Sequence, residues 1–488
     1  MATVCGTIKT VPGFFVENFG CRATQADGAA LERQFEERGL SRASNPAQAT
    51  VVVLNTCTVT AGADHDARAA IRRVRRQNPD AKIVVTGCYA QRAPEEISSL
   101  PGVSLVVGNS HKHKLAEIAL AGQQEVQSHG SSFVPLAGLT ENRELRTENS
   151  VFVSDIFAHT ELLAAPVFDA ANERTRPNLK VQDGCDNRCS FCVIPYVRGQ
   201  SRSLDIGRII REVNGLVDSG YREVVISGIN LGRWGRDLPA RTQRPTTSDQ
   251  RLVALILAIL TETNLEKLRI SSVEPMDWSD ELISLVASSP RIAKHAHVPM
   301  QSGSDAVLRR MHRKYRPWHY RAKIEKIRAA MPGAAIGADV MVGFPGETDA
   351  EFEATRKMIE ELPFTYLHVF TYSPRPGTPA ASMKNQVPMN VARERNRVLR
   401  ELAAEKKLAF MRGFIGKSLD AITLNVGGSD SEGEFTEALT DNYLKLRLRG
   451  NHEANVWMHS AIQSVREGVL SGQPAKSSAE VPVLVLSS

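Results

Sequence analysis

No apolar run in this chain of 488 residues is longer than nine, at residues 252–260. A helix that spans a bilayer needs about 20 apolar residues, so no membrane segment is expected. The first twenty residues lack a basic stretch leading into an apolar one, so no secretory signal is read and a cytoplasmic location is expected. Charge of one sign is scarcely in excess: 60 Lys and Arg stand against 54 Asp and Glu, a net charge of +6. That permits a polyanionic partner without demanding one. The seven cysteines are an odd number in a compartment read as reducing, so metal or redox chemistry is expected rather than a disulfide framework. With 42% hydrophobic and 23% charged residues, the collagen-like, disordered and coiled-coil classes are excluded.

The length suggests about three domains. Residues 14–16, 51–54, 83–85 and 105–107 are short apolar runs of the kind buried in parallel sheets. Helical patterns lie between them at 24–38, closed by Gly39, and at 64–77, with Pro79 just beyond. Residues 122–176 are polar and irregular apart from an apolar piece at 151–157, and read as a linker. Alternation then resumes, with strands expected at 179–181, 224–226, 268–270, 296–298, 336–342 and 367–370 and a polar insertion at 237–250. Six such units predict a partial (βα)6 barrel, closed by a helix at 389–412. Beyond 413 the period changes to two, as at 421–426 and 443–448, with Gly427-Gly428 read as a turn. The expected fold class is α/β: an N-terminal parallel α/β domain over 1–121, a linker over 122–176, the partial barrel over 177–412, and a small all-β barrel with a tail over 413–488.

Three thiols, Cys185, Cys189 and Cys192, fall within eight residues just after the first barrel strand. Active sites of such barrels lie at the carboxyl ends of the strands. A loop this tight can wrap three thiolates round one metal centre. A four-iron cluster usually takes four cysteines, so three leave one iron open to a substrate or cofactor. The other reading is zinc completed by Asp183 or Asp186. Structural zinc normally has four ligands, and here no second Cys pair follows and no His is near. Cys21, Cys57 and Cys88 are 36 and 31 residues apart, which fits no local metal motif. Yet each follows an expected strand at its carboxyl end, and those ends converge on one crevice in a parallel sheet. Three thiols meeting there form a candidate second cluster; the alternative is three small buried hydrophobes. Cys5 has no partner pattern.

A CxxxCxxC loop with Phe191 before its last cysteine, opening a six-unit barrel, resembles the radical S-adenosylmethionine superfamily. That resemblance implies that the open iron chelates the amino and carboxylate groups of S-adenosylmethionine. One-electron reduction then releases a 5′-deoxyadenosyl radical, and Phe191 packs near the cofactor. Further words are similar to methylthiotransferases: Asn18-Phe19-Gly20-Cys21, Asn55-Thr56-Cys57-Thr58-Val59-Thr60 and Val85-Thr86-Gly87-Cys88 around the second trio, and Gln182-Asp183-Gly184-Cys185, Ile194-Pro195-Tyr196-Val197-Arg198-Gly199, Gly343-Phe344-Pro345-Gly346-Glu347-Thr348 and Tyr372-Ser373-Pro374-Arg375-Pro376-Gly377-Thr378 in the barrel. The likeness covers roughly 13–410. Val59 and Thr60, followed by Ala63-Asp64, resemble the branch that acts on threonylcarbamoyladenosine in tRNA; the isopentenyladenosine branch more often has an Arg-Glu pair there.

The resemblance implies a second four-iron cluster on Cys21, Cys57 and Cys88, and two molecules of S-adenosylmethionine per turnover, one to methylate sulfur and one to generate the radical. The expected product is a methylthio group on C2 of adenosine 37, beside the anticodon. That carbon bears no acidic proton, so a radical can abstract its hydrogen where a base cannot. Further cofactor contacts are expected at Gly228, Asn230, Glu274, Gln301 and Asp339, at or after successive barrel strands; ordinary loop structure is their alternative. Expected partners are the tRNA anticodon stem-loop, an electron donor such as a flavodoxin and a sulfur source, with no membrane and no DNA. Arg68, Arg72, Arg75 and Arg76 share one helix face that suits phosphate, against the reading of a solvated face with an Asp64–Arg68 pair. The C-terminal zone has the length of the TRAM module, an RNA-binding barrel of the same family, though Glu432, Glu434 and Glu437 make its start acidic. Lys445, Arg447 and Arg449 there are read either as RNA contacts or as a charged strand edge. The rival functions are the same chemistry on isopentenyladenosine or on a ribosomal-protein aspartate, and a non-catalytic iron–sulfur protein that binds RNA.

Overall fold

Every residue of Val51–Thr56 is buried, so this strand must lie in a sheet covered on both faces. In the computed structural model, which describes residues 12–121, 150–159, 162, 176–239 and 251–475, it is β3 of such a sheet. Its companions are β1 (Gly13–Asn18), β2 (Ser41–Arg42), β4 (Lys82–Gly87), β5 (Val103–Gly108) and β6 (Ser150–Phe152). All pair in parallel, in the order β2-β1-β3-β4-β5-β6. The order reverses between β1 and β3, so a crevice opens at the carboxyl ends of these strands. Helix α1 (Arg22–Glu36) begins directly after Cys21, two residues earlier than the sequence pattern predicts. Helix α2 (Ala61–Gln77) is capped by the Thr60 hydroxyl, which accepts from Ala63 N. A short helix, α3 (Cys88–Arg92), begins at Cys88 itself. The stretch read as linker thus contributes an edge strand, β6, and its Ile156 is buried. Cys5, residues 122–149 and the insertion at 240–250 lie outside the described residues.

The second body is built on β7 (Asn178–Asp183), β8 (Arg202–Ser203), β9 (Glu223–Gly228), β10 (Lys267–Ile270), β11 (His295–His297), β12 (Ala335–Val342) and β13 (Tyr366–Thr371). Six of these strands run parallel as β7-β9-β10 and β11-β12-β13, and a single bridge from Leu268 to Ile292 spans the gap between the two sheets. The short β8 pairs antiparallel at the outer edge of β7. This is the expected partial barrel, and the helix Met389–Arg412 follows it. The third body is a closed barrel of β14 (Ser418–Asp430), β15 (Gly433–Thr440), β16 (Lys445–Arg449), β17 (Trp457–Arg466) and β18 (Val469–Pro474), in the order β14-β15-β16-β18-β17. Gly427-Gly428 is not a turn: it lies within β14, where the register shifts between Thr423 and Gly427. Tyr443 is not in a strand either; it sits in the turn before β16, at a left-handed φ of 66°. Closure also means that β16 is no edge.

A buried cluster of charges joins the first body to the second. Asp27 of α1 accepts from Lys112 at 3.0 Å and from Arg198 at 3.0 Å, and also pairs with Lys180 of β7. Asp183 accepts from Lys180 at 2.8 Å and from Arg198 at 3.0 Å. All five are buried. Burial alone would raise the Asp27 carboxyl, but Lys112, Lys180 and Arg198 hold it down at about 2. Removing one member leaves buried charge without a partner, at a cost of about 3–5 kcal/mol. Asp27→Asn should therefore lower the unfolding free energy at neutral pH by about that amount, measured by denaturant titration. The carboxyl titrates near 3.8 unfolded and lower in the fold, so its contribution is complete above both values and fades as pH falls toward 2. The gap between wild type and Asp27→Asn should narrow over that range; a gap that widened on acidification would refute the assignment.

Candidate active site

The first barrel strand carries the site's foundation. Asn178, Lys180 and Gln182 alternate along β7, and all are buried. Gln182 donates to Asp183 O, Gly184 O and Ser201 Oγ at 2.8–2.9 Å, and its Oε1 accepts from Asn230 N at 2.7 Å. One amide thereby fixes the start of the cysteine loop to the loop after β9. Cys185 N donates to Gly199 O, Cys192 N donates to Cys189 O, and Ser190 N donates to Met311 O, each at 3.1 Å. The loop is a fixed bracket with three half-buried thiols.

The second trio is set by neighbouring strands. Cys21 follows β1, Cys57 follows β3 and Cys88 follows β4. Gly20, at φ +94°, lets the chain pass against Cys57: a Cβ there would lie 2.5 Å from Cys57 Cβ and 2.8 Å from its Sγ. Cys57 and Cys88 are buried while Cys21 is exposed. Asn109 donates to Cys88 Sγ at 3.6 Å and to Val197 O at 2.7 Å. Cys88 packs against Val193 and Val197, directly after Cys192. The Cys57 loop is tied to the barrel as well: Arg375 donates to Thr58 O at 3.2 Å and to Asp64 at 2.8 Å, and Ser373 Oγ accepts from Ala61 N. The buried Asp64 also holds Thr58 and Arg92.

The barrel trio and, of the second trio, Cys21 border one cavity of about 620 Å³. Cys21, Cys185, Cys189 and Cys192 line it, and so do Phe191, Gly228, Asn230, Glu274, Gln301 and Asp339. Asn230 donates to Cys185 Sγ at 3.6 Å. Arg313, buried and absent from the sequence reading, donates to Cys189 Sγ at 3.4 Å and pairs with Glu274. Its signal in the sequence is weak, since it is one of five Lys or Arg residues between 309 and 316. Gln301 takes a left-handed φ of 62°, strained for a side-chain residue. Ser227 Oγ, Asn230 Oδ1, Ser271 Oγ and Gln301 Oε1 are buried on the cavity wall without a hydrogen-bond partner. Such a set fits a polar cofactor that would satisfy it. Opposite, Asp339 Oδ1 lies 3.3 Å from His297 Nε2 and 3.2 Å from His368 Nδ1.

The thiols themselves fit a metal centre. Burial, then the neighbouring Cys88 and Cys21, push the Cys57 thiol up to about 12. Burial does the same to Cys192, also about 12. Thiols crowded in this way are poor free thiolates, and a cation among them removes the penalty. The arginines divide. Arg68 donates to Tyr89 at 2.7 Å and to Glu96 at 2.9 Å, so its guanidinium, though partly exposed, is already paired within the protein. Arg72, Arg75 and Arg76 are exposed. In the C-terminal barrel, Arg447 and Arg449 pair with Asp430, and Arg449 also pairs with Glu432.

Barrel and bracket together define the class, and residues 179–359 match the Radical SAM superfamily. Residues 13–108 match Uncharacterized protein family UPF0004. Threonylcarbamoyladenosine tRNA methylthiotransferase MtaB of Bacillus subtilis is 37% identical over 89% of this chain and 90% of its own. The protein of that name from Aquifex aeolicus is 36% identical over 90% and 97%. A tRNA-2-methylthio-N(6)-dimethylallyladenosine synthase of Erythrobacter litoralis is 32% identical over 84% and 86%. The chain belongs to the radical S-adenosylmethionine tRNA methylthiotransferase family. The radical S-adenosylmethionine methyltransferase TsrM of Kitasatospora setae shares the fold at a TM-score of 0.52, with 16% identity over 76% of this chain and 75% of that one. Among the described residues no helix is long and apolar enough to cross a membrane.

In the metal-free chain, iodoacetamide at pH 8 should label the exposed Cys21 first and Cys57 and Cys192 slowest, because only the thiolate reacts. Peptide mapping checks this, and Cys57 labelled first would contradict it.

Proposed function

We propose that this chain adds a methylthio group to C2 of N6-threonylcarbamoyladenosine at position 37 of tRNA, using two four-iron clusters. The observation that carries the reading is that Cys21, from the first sheet, lines the same cavity as Cys185, Cys189 and Cys192 from the barrel. The choice of nucleoside leans on relatives named for threonylcarbamoyladenosine, at up to 37% identity, against 31–34% for relatives named for dimethylallyladenosine.

Cys185, Cys189 and Cys192 would hold one cluster, and Cys21, Cys57 and Cys88 the other. Bound there, the clusters and S-adenosylmethionine supply radical abstraction of the C2 hydrogen and delivery of sulfur and methyl. The protein's own part is placement and electrostatics. Asn230 and Arg313 donate to thiol sulfurs, which favours the charged ligand form. The unpartnered hydroxyls and amide oxygens offer hydrogen bonds to the polar groups of S-adenosylmethionine, and Gly228 beside them leaves room for Gln182, which a Cβ there would strike. Glu274 is held by Arg313 and Asp339 by two imidazoles, so both carboxylates keep fixed positions. Phe191 packs edge-on to the buried Phe344, with ring centroids 6.5 Å apart, which braces the loop. Arg72, Arg75 and Arg76 would take phosphates of the anticodon stem. A one-electron donor such as a flavodoxin, and a sulfur source, complete the cycle.

Deleting the gene should remove 2-methylthio-N6-threonylcarbamoyladenosine from total tRNA and let its unthiolated precursor accumulate, as read by nucleoside mass spectrometry. Loss of the isopentenyl analogue instead would overturn the choice of substrate. Separately, Gly20→Ala should cost the purified protein about four iron atoms per chain, as Cys57→Ala would, because the added methyl strikes Cys57. Full iron content in Gly20→Ala would overturn the placement of the second cluster.

A further inference from the structure

The two ends of the cavity differ in chemistry. Away from the thiol bracket the wall is formed by Arg22, Arg269, His295, His297, His368 and Tyr443. Arg22 is the first residue of α1, next to Cys21, and is exposed. Its Nη2 donates to the Tyr443 hydroxyl at 3.3 Å, and no carboxylate pairs with it among the described residues. Arg269 is buried beneath, bonded to Glu223 at 2.6 Å and to Asp441 O at 3.1 Å, with its Nη2 left without a partner. His295 Nδ1 is likewise buried and unpartnered, while its Nε2 meets Tyr366 Oη at 2.6 Å. The acid on this wall, Asp339, is already engaged by His297 and His368. Among the described residues, Arg22 is the cation of this wall left without a carboxylate partner.

Tyr443 comes from the C-terminal barrel, in the turn between β15 and β16. Asn442 donates to Gly333 O at 3.0 Å, and Arg269 grips Asp441 O, so the turn is pinned to the rim of the partial barrel. The Tyr443 ring lies 4.8 Å from His295 and 5.7 Å from Tyr366, and the Arg269 guanidinium stands 5.4 Å from its centre. Gly337 of β12 lets Tyr366 lie flat against the strand, since a Cβ there would come within 2.0 Å of the ring. The result is a wall of ring faces with guanidinium groups at its margin.

We infer that this end of the cavity is a carboxylate-binding subsite for the amino-acid substituent on N6 of the adenosine, with Arg22 as the ion-pair partner and the Tyr443 hydroxyl beside it. The inference rests on the threonylcarbamoyladenosine reading and adds to it the residues that select the nucleoside. A carboxylate satisfies the unpaired donors, whereas an apolar dimethylallyl group would leave them dry and unpaired. Sites built of buried hydrogen-bonding groups reject partners that lack the matching group far more strongly than apolar pockets do. The C-terminal barrel is then part of the substrate pocket.

The test compares three anticodon stem-loop RNAs, binding to the full chain in its iron-loaded form by fluorescence anisotropy. Position 37 carries threonylcarbamoyladenosine, the same group with its carboxylate converted to a carboxamide, or isopentenyladenosine. The acid should bind about ten- to hundred-fold more tightly than the amide, the range expected for a charge-assisted pair. Arg22→Met should bring that ratio close to one, and Tyr443→Phe should shrink it. Equal binding of acid and amide by the wild type would overturn the subsite, as would Arg22→Met with its preference intact; both comparisons leave the reaction itself untouched. Failure of the underlying reading shows differently: the loaded wild type would methylthiolate the isopentenyl RNA and not the threonylcarbamoyl one.

Discussion

Two carboxylates and three cations, drawn from two bodies of the protein, share one buried space. Asp27 comes from the helix after Cys21, Lys112 from the end of the first sheet, and Lys180, Asp183 and Arg198 from the strand and loop that frame Cys185. A cluster of this kind gives little net stability over apolar packing, yet it tolerates no loss of a member. Its strength is geometric. Arg198 bonds both carboxylates at once, which fixes the helix start carrying Cys21 against the strand end carrying Cys185. That Cys21 lines the same cavity as the barrel trio follows from that lock.

The thiols make the opposite demand. Cys57 lies under Gly20 and Cys88 under the segment after Cys192, and burial with the neighbouring thiols opposes ionisation of Cys57. Left to itself, a thiol crowded like Cys57 would move away or stay protonated. The surrounding scaffold prevents dispersal: Asn109 holds Cys88, and Arg375 with Asp64 holds the Cys57 loop to the barrel. A cationic centre would relieve the remaining strain, so the site is organised for a ligand it must bind to be satisfied.

Much of this was legible along the chain. Apolar runs ending in cysteine placed Cys21, Cys57 and Cys88 at adjacent strand ends, because a buried parallel strand needs such a run and a crevice must follow it. The CxxxCxxC spacing was legible because metal ligation constrains neighbours in sequence. Charged residues inside strands were harder to read. Lys180 and Gln182 alternate with Leu179 and Val181, a pattern that looks like a half-solvated strand, but both faces are buried because the first sheet covers one end of the barrel. The partners of Arg68 were hidden for a related reason: its helical spacing is that of an exposed face, and Tyr89 and Glu96 approach it from residues more than 20 positions away. Gly427-Gly428 has the composition of a turn, and closure of the barrel instead draws it into a bulged strand.

Tyr443 shows why specificity was the least legible part. Its neighbours in sequence describe a β-turn, and its left-handed backbone looks like a local cost. Its neighbours in space, Arg22, Arg269, His295 and Tyr366, come from one helix and three strands in two other bodies of the fold. No periodicity can encode such a meeting, because it depends on how a third body docks. The cysteines, in contrast, belong to elements whose order in the sheet the pattern already implies. Reaction chemistry is therefore written in short, local words, while the choice of substituent is set by side chains that only the assembled fold brings together.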